Sequence, residues 1–285
     1  MYKLPGILIV AIFLVGCGTA PEKSSDVAAD VLFLVLGKMA LYDQSPDGEL
    51  SLRNHHFVAE IMPKEGRKII SGDLVSANSP GKIIEFQPEG NAFLAHGMRA
   101  MDPVELHQAH PDGDYVFSYR TQSGIMESQR VTMAKRSTID QMPGAAMVTL
   151  SQNEERPLLN RVDPNADLTV SWQSMSGNTR VASSELDDLI FVLAFDCFGE
   201  NIAHSGRPYQ GGPYLTFRDS QFVIPGSSLR PGLSYTVIVE QATADAKSYL
   251  GVPSIATYAT LTFVKFQTGG EQMSCPSDGA RQPED

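Results

Sequence analysis

From residue 30 onward the chain alternates apolar and polar positions in short runs, each soon broken by Gly, Pro, Asn or Asp. A period of two sends successive side chains to opposite faces of a strand, whereas an amphipathic helix needs apolar residues at i, i+3, i+4 and i+7. No long stretch carries the helical period; only residues 102–110 suggest a turn or two. The pattern predicts an all-β chain. Candidate strands cover residues 31–41, 57–62, 81–86, 115–121 and 131–134 in the first half, then 168–172, 187–195, 215–224 and 258–266 in the second. Residues 189–195 are apolar on both faces, so that strand is expected to be covered twice, by the rest of the chain or by a partner. Residues 135–142 break the pattern and read as a linker. Two β-sandwich domains in tandem follow, 30–134 and 143–268, ahead of a Gly-, Pro- and charge-rich tail, 269–285, expected to fray.

Composition removes several alternatives. At 42% apolar and 19% charged residues over 285 positions, the chain can bury a core and is not a disordered protein. Three cysteines are too few for a disulfide-built scaffold of this length. A formal charge of −11 argues against nucleic acid as a partner, because such binders need clustered Lys and Arg to displace counterions.

The first residues carry an address. Met1-Tyr2-Lys3 is a short basic start, and residues 4–15 form a twelve-residue apolar run, too short for a bilayer span of roughly 18 or more residues. Leu14-Val15-Gly16-Cys17 follows. This tetrad resembles the lipobox of bacterial lipoproteins. The resemblance implies removal of residues 1–16 as a signal peptide and attachment of acyl chains at Cys17, with 17–29 as a polar tether. Two or more acyl chains give stable membrane anchoring where one gives marginal binding. Gly18 rather than an aspartate after the cysteine implies, within that family, export to the outer membrane. Cleavage removes Lys3 and leaves 21 basic against 33 acidic side chains, so acyl chains rather than charge must supply the hold on an anionic membrane.

In the second half, Leu168-Thr-Val-Ser-Trp172 alternates strictly, and Leu229-Arg-Pro-Gly-Leu-Ser-Tyr-Thr-Val237 places Tyr235 where a strand begins. Together these resemble a fibronectin type III or immunoglobulin-like sandwich, in which a strand-B tryptophan fills the core and a tyrosine bonds back to its corner. Leu233 departs from the threonine frequent in that family. Pro111-Asp-Gly-Asp-Tyr115 in the first half has the look of a second such corner. A shared fold implies nothing specific about activity.

Signatures of catalysis are sparse. There is no Gly-x-Ser-x-Gly elbow, phosphate loop or His-Glu-x-x-His. Ser79-Pro-Gly-Lys82 has Ser-x-x-Lys spacing, but Pro80-Gly81 predicts a reverse turn instead of the helix that pairing needs. Asp163-Pro-Asn-Ala-Asp167 opens like a calcium loop yet has Leu168 and Ser174 where glycine and glutamate are required, so an Asx-rich turn is the better reading. Five of six histidines lie in the first half. His107 and His110, with one of His55 and His56 and with Met98 or Met101, make a candidate copper or zinc site. Scattered surface histidines are the plainer alternative. Tyr209, Tyr214 and Phe217 are candidates for a sugar-binding aromatic platform. Cys197 and Cys275 remain for a possible disulfide in an oxidising compartment, bridged or free. The sequence thus predicts a non-enzymatic lipoprotein of the cell envelope, without cofactor, that binds the membrane through its lipid and meets a protein or glycan partner. Metal handling and glycan binding are the alternatives.

Overall fold

The β-branched and aromatic runs form strands in a computed structural model that describes residues 27–134, 142–173, 175 and 184–276. Cys17, the signal peptide, most of the tether and nearly all of the linker therefore lie outside the described residues. The fold is all-β, and the described residues form three sheets. In the first half β1 (Val31–Gln44), β2 (Leu50–Pro63), β3 (Ile69–Ser76), β4 (Ser79–Glu85), β5 (Gln87–Glu89) and β6 (Ala92–Ala100) precede helix α1 (Pro103–Ala109), then β7 (Gly113–Thr121) and β8 (Ile125–Met133). The second half holds β9 (Val148–Ser151), β10 (Leu168–Trp172), β11 (Leu189–Asp196), β12 (Asn201–His204), β13 (Leu215–Thr216), β14 (Gln221–Ile224), β15 (Ser234–Ala242), β16 (Asp245–Tyr249) and β17 (Val252–Gln267).

The halves are joined by more than a linker. One ten-stranded sheet runs β12-β11-β15-β17-β1-β2-β6-β5, with β13 and β16 added at its sides. Its seam is a parallel pairing of β1 with β17, from Leu34↔Ser254 to Gln44↔Val264. Two smaller sheets, β4-β3-β7-β8 and β14-β10-β9, complete the sandwiches. Alternation along β17 shows how they are placed. Val252, Ala256 and Tyr258 enter the core of the first sandwich, with Leu34, Phe57, Ile61, Leu74 and Phe117. Val264 and Phe266, on the same face of the same strand, enter the second core with Val170, Trp172, Val192, Tyr235 and Val237. Both small sheets therefore lie side by side on one face of the large one.

The opposite face is apolar as well. Leu41, Phe195, Ile238, Leu261 and Phe263 form a third buried cluster there, which explains why β11 is apolar on both sides: Ile190, Val192 and Ala194 face the second core while Leu189, Leu193 and Phe195 face this cluster. The segment after β12 crosses the same face. Arg207 bonds Glu60 of β2 at 2.7 Å and stacks on Phe191 of β11, while the Tyr209 ring lies 6.1 Å from that of Phe33.

Several expectations change in detail. The predicted strand 215–224 is split: β13 pairs with β11 in the large sheet and β14 with β10 in a small one. The turn expected at Pro80-Gly81 falls at Ala77-Asn78, so Ser79 and Lys82 sit on a strand and not on the helical turn their pairing needs. Residues 269–276, expected to fray, are tied down. Gly232 N donates to Gly269 O, Met273 N donates to Gly232 O, and Cys275 is disulfide-bonded to Cys197 with a Cα separation of 5.6 Å.

Candidate functional site

A buried group of interacting charged side chains sits on the seam. Lys38 of β1 and Tyr258 of β17 are direct partners across the parallel pair, and both reach the Asp112 loop between α1 and β7. That loop is held from both sides. Asp102 caps α1 by accepting from Val104 N at 2.8 Å, Pro103 opens the helix, and Leu106 is its buried anchor. Beyond the loop, Tyr115 donates its hydroxyl to Pro111 O at 2.8 Å, forming a tyrosine corner. Lys38 Nζ and Tyr258 Oη each donate to Asp112 Oδ1 at 2.6 Å, and Lys38 Nζ also donates to His107 Nδ1 at 3.3 Å. Next to the group is a shallow cleft of about 480 Å³, lined by His107 and by residues 111–113 and 132–134.

Electrostatics make this a self-contained group. Burial lowers the Lys38 ammonium's pKa against the pull of Asp112. Burial alone would raise the Asp112 carboxyl, but the bonds from Lys38 and Tyr258 and the Lys38 charge outweigh it and hold the pKa below the usual range. The neighbouring hydroxyl of Thr132 donates to Asp114 at 2.6 Å, so it faces a carboxylate and not the imidazole of His107. The geometry ties a loop to the core; a binding role in the cleft would fall to the exposed face of His107.

The candidate metal residues do not converge. His107 turns to Lys38, while the His110 ring stacks on Phe57 at 4.0 Å and its Nε2 accepts from Met98 N at 2.9 Å. His56 stacks on His96 at 5.2 Å, and His96 bonds Glu89 at 2.9 Å. His55 sits one residue before His56 and therefore on the other face of β2. Met98 and Met101 point outward. Among the described residues no three His, Cys, Asp or Glu side chains are arranged to hold a metal. Burial and the nearby Arg99, His96 and His110 push His56 down to about 3, and burial with the Lys82 and Lys38 charges pushes His110 down to about 4.

Two of the three aromatic candidates pack against the body of the protein. Tyr209 lies over Phe33 with its hydroxyl buried, its pKa pushed up to about 12 by burial first, and Phe217 packs against the second core with Arg218 on its face. Asp163 and Asp167 close local turns, accepting from Asn165 N at 2.9 Å and Gly226 N at 2.8 Å. The second tyrosine corner is present: Arg230 N donates to Tyr235 Oη at 2.7 Å, beside a core holding Trp172. Sequence reading missed Lys38 altogether. A lone lysine among apolar residues in 31–41 was the available signal, since Lys is seldom buried without a partner.

No family model and no curated protein matches the chain. Among solved structures, the FN1–FN3 domains of chicken CNTN1 align with 84% of this chain and 69% of that one, at 8% identity and a TM-score of 0.23, a likeness that carries no argument.

Proposed function

We propose that the chain is a bacterial lipoprotein of the cell envelope, held at the outer membrane by acyl chains on Cys17, that acts as a non-enzymatic binding or structural module. The observation that carries this reading is Leu14-Val15-Gly16-Cys17 behind a basic start and a short apolar run. The fold supports it in two ways. A sheet shared by both halves makes a stiff body suited to spacing or presenting surfaces, and the polar side chains nearest to catalytic types are engaged with one another, Lys38 with Asp112 and His110 with a backbone amide. A fibronectin type III-like second half, with its tryptophan core and tyrosine corner, fits an extracytoplasmic protein of this kind. The disulfide fits an oxidising compartment.

Mass spectrometry of the chain purified from membranes tests the anchor: a mature N-terminus at Cys17 carrying acyl chains is expected, and Cys17→Ser should release the protein into the soluble fraction. A bare N-terminus, or a serine variant that stays equally membrane-bound, overturns the reading. Crosslinking pull-down of the lipidated protein from membranes then tests for a specific partner; glycan retention without any protein would favour the glycan alternative.

A further inference from the structure

The strands give the molecule two ends, and the ends differ in chemistry. At the end where the tether enters, β1 begins beside the last residue of β2, Val31↔Pro63, and β3 begins beside the last residue of β7, Ile69↔Thr121. Val27 packs against the β7–β8 turn at Gly124, Ser123 N donates to Asp30 at 3.3 Å, and the β16–β17 turn is joined to β8 by Gln129 donating to Tyr249 O at 2.9 Å. Four large apolar side chains stand out in solvent here: Ile70 is 55% exposed, Ile125 46%, Tyr249 47% and Leu250 51%. Around them lie exposed Lys64, Arg67, Lys68, Arg120 and Lys247, against exposed Glu65, Glu127 and Glu185, the last bonded to Ser248.

The far end also exposes apolar residues, Leu158, Phe198 and Met273, but around them six exposed acidic side chains stand against three basic ones, Arg156, Arg161 and Arg230, the last bonded to Glu200. Asp47 and Glu49 form the β1–β2 turn, Glu200 follows Phe198, Glu271 precedes Met273, and Glu154 and Glu155 precede Leu158. In a chain with 33 acidic and 22 basic side chains, a basic rim around an apolar tip is therefore a local feature of one end.

We propose that the tether end, through Ile70, Ile125, Tyr249 and Leu250, lies on an anionic phospholipid surface. This deepens the lipoprotein reading and rests on it for the anchor. The chain from Cys17 to Val27 spans ten residue steps, so it reaches at most about 36 Å. Acyl chains in the bilayer would thus hold the first residues of β1 close to the headgroups at high effective concentration. Apolar and aromatic side chains then enter the interface, and Lys and Arg meet anionic headgroups. The acidic end points away, about 45 Å off along the 14-residue β1. An anionic membrane repels that end and attracts this one, so the charge distribution sets the orientation.

The test uses the full chain purified from membranes and reconstituted in vesicles of phosphatidylcholine with a minority of phosphatidylglycerol. A fluorophore on Leu250→Cys or Ile125→Cys is read against one on Leu158→Cys, with brominated lipid as quencher; any label at Cys17 is common to all three and cancels. Quenching at Leu250 and Ile125 is expected to exceed that at Leu158 by about threefold or more, and to fall towards the Leu158 level in neutral vesicles or in about 1 M salt. Lys64→Glu/Lys68→Glu/Arg120→Glu should have the same effect as salt, and the salt arm needs no substitution. Equal quenching at the three positions, or stronger quenching at Leu158, overturns the proposal. Intact mass of the same sample reports the anchor separately: preferential quenching in an unacylated chain keeps this surface and removes the lipid reading.

Discussion

Lys38 and Tyr258 face each other across the only parallel pairing that joins the two halves among the described residues, and both donate to a single oxygen of Asp112. A buried ammonium thus ties a surface loop to the seam. Removing one member of a buried pair leaves the other charged and unpaired, which costs about 3–5 kcal/mol, whereas replacing both with apolar groups is often neutral. Lys38→Met is expected to lower the urea midpoint strongly, and Lys38→Met/Asp112→Leu to recover most of the loss. Fluorescence of Trp172, the single tryptophan, and far-UV circular dichroism should report one coincident transition, because the seam couples the halves. Two separated transitions in the wild type would contradict the coupling.

Acid should destabilise the protein well before carboxylates protonate. His56 and His110 are buried, with folded pKa values of about 3 and about 4, below the ordinary imidazole value of 6.5. As pH falls, the unfolded chain takes up these protons first. Stability is therefore full above about pH 6.5 and declines towards pH 4, by on the order of 3 kcal/mol for His110 alone. Asp30 and Asp112, both held low, add a further loss below the ordinary carboxylate range. Melting temperatures between pH 7 and 4 check this, and His110→Gln, which keeps an acceptor for Met98 N, should flatten the slope.

Gly97 is a packing requirement of the first sandwich. A Cβ there would lie 2.6 Å from the Phe57 ring and 2.7 Å from His110 Nε2. Gly97→Ala must push apart the stacked Phe57–His110 pair, an overpacking cost of about 1–3 kcal/mol. Thermal unfolding of this variant should show a clear loss, while Gly81→Ala, with open space around it, should be near neutral.

The Cys197–Cys275 bond closes a loop of 78 residues and pins the segment that follows β17. Chain-entropy arguments give about 4.5 kcal/mol for a loop of that size. Cys197→Ser/Cys275→Ser, or reduction of the wild type, is expected to lower the melting temperature and to admit a protease near Met273. Unchanged melting after verified reduction would show that the bond contributes little.

Period-two alternation made the strand content readable, and Leu168–Trp172 was legible residue for residue because its alternation is strict, with every second side chain buried. Strands such as β3 and β6 were not. Gly72 and Gly97 interrupt their alternation, and each glycine is there because a neighbouring ring or methyl group occupies the space of its Cβ. The two tyrosine corners were visible as local motifs, since a hydroxyl reaching four or five residues back needs no distant partner. The Lys38 group was hidden: its partner lies 74 positions away and depends on a loop whose path no local pattern specifies.

Local rules acting over a few residues therefore determined the strand character of this chain, its corners and its short capped helix. Which strands became neighbours was decided in three dimensions. β1 and β17 are separated by almost the whole chain, and only the burial of two apolar faces at once selects their pairing. Side chains that met there, and the unequal charge of the two ends, follow from that register, because a contact between distant residues has an energy only once the backbone has brought them together.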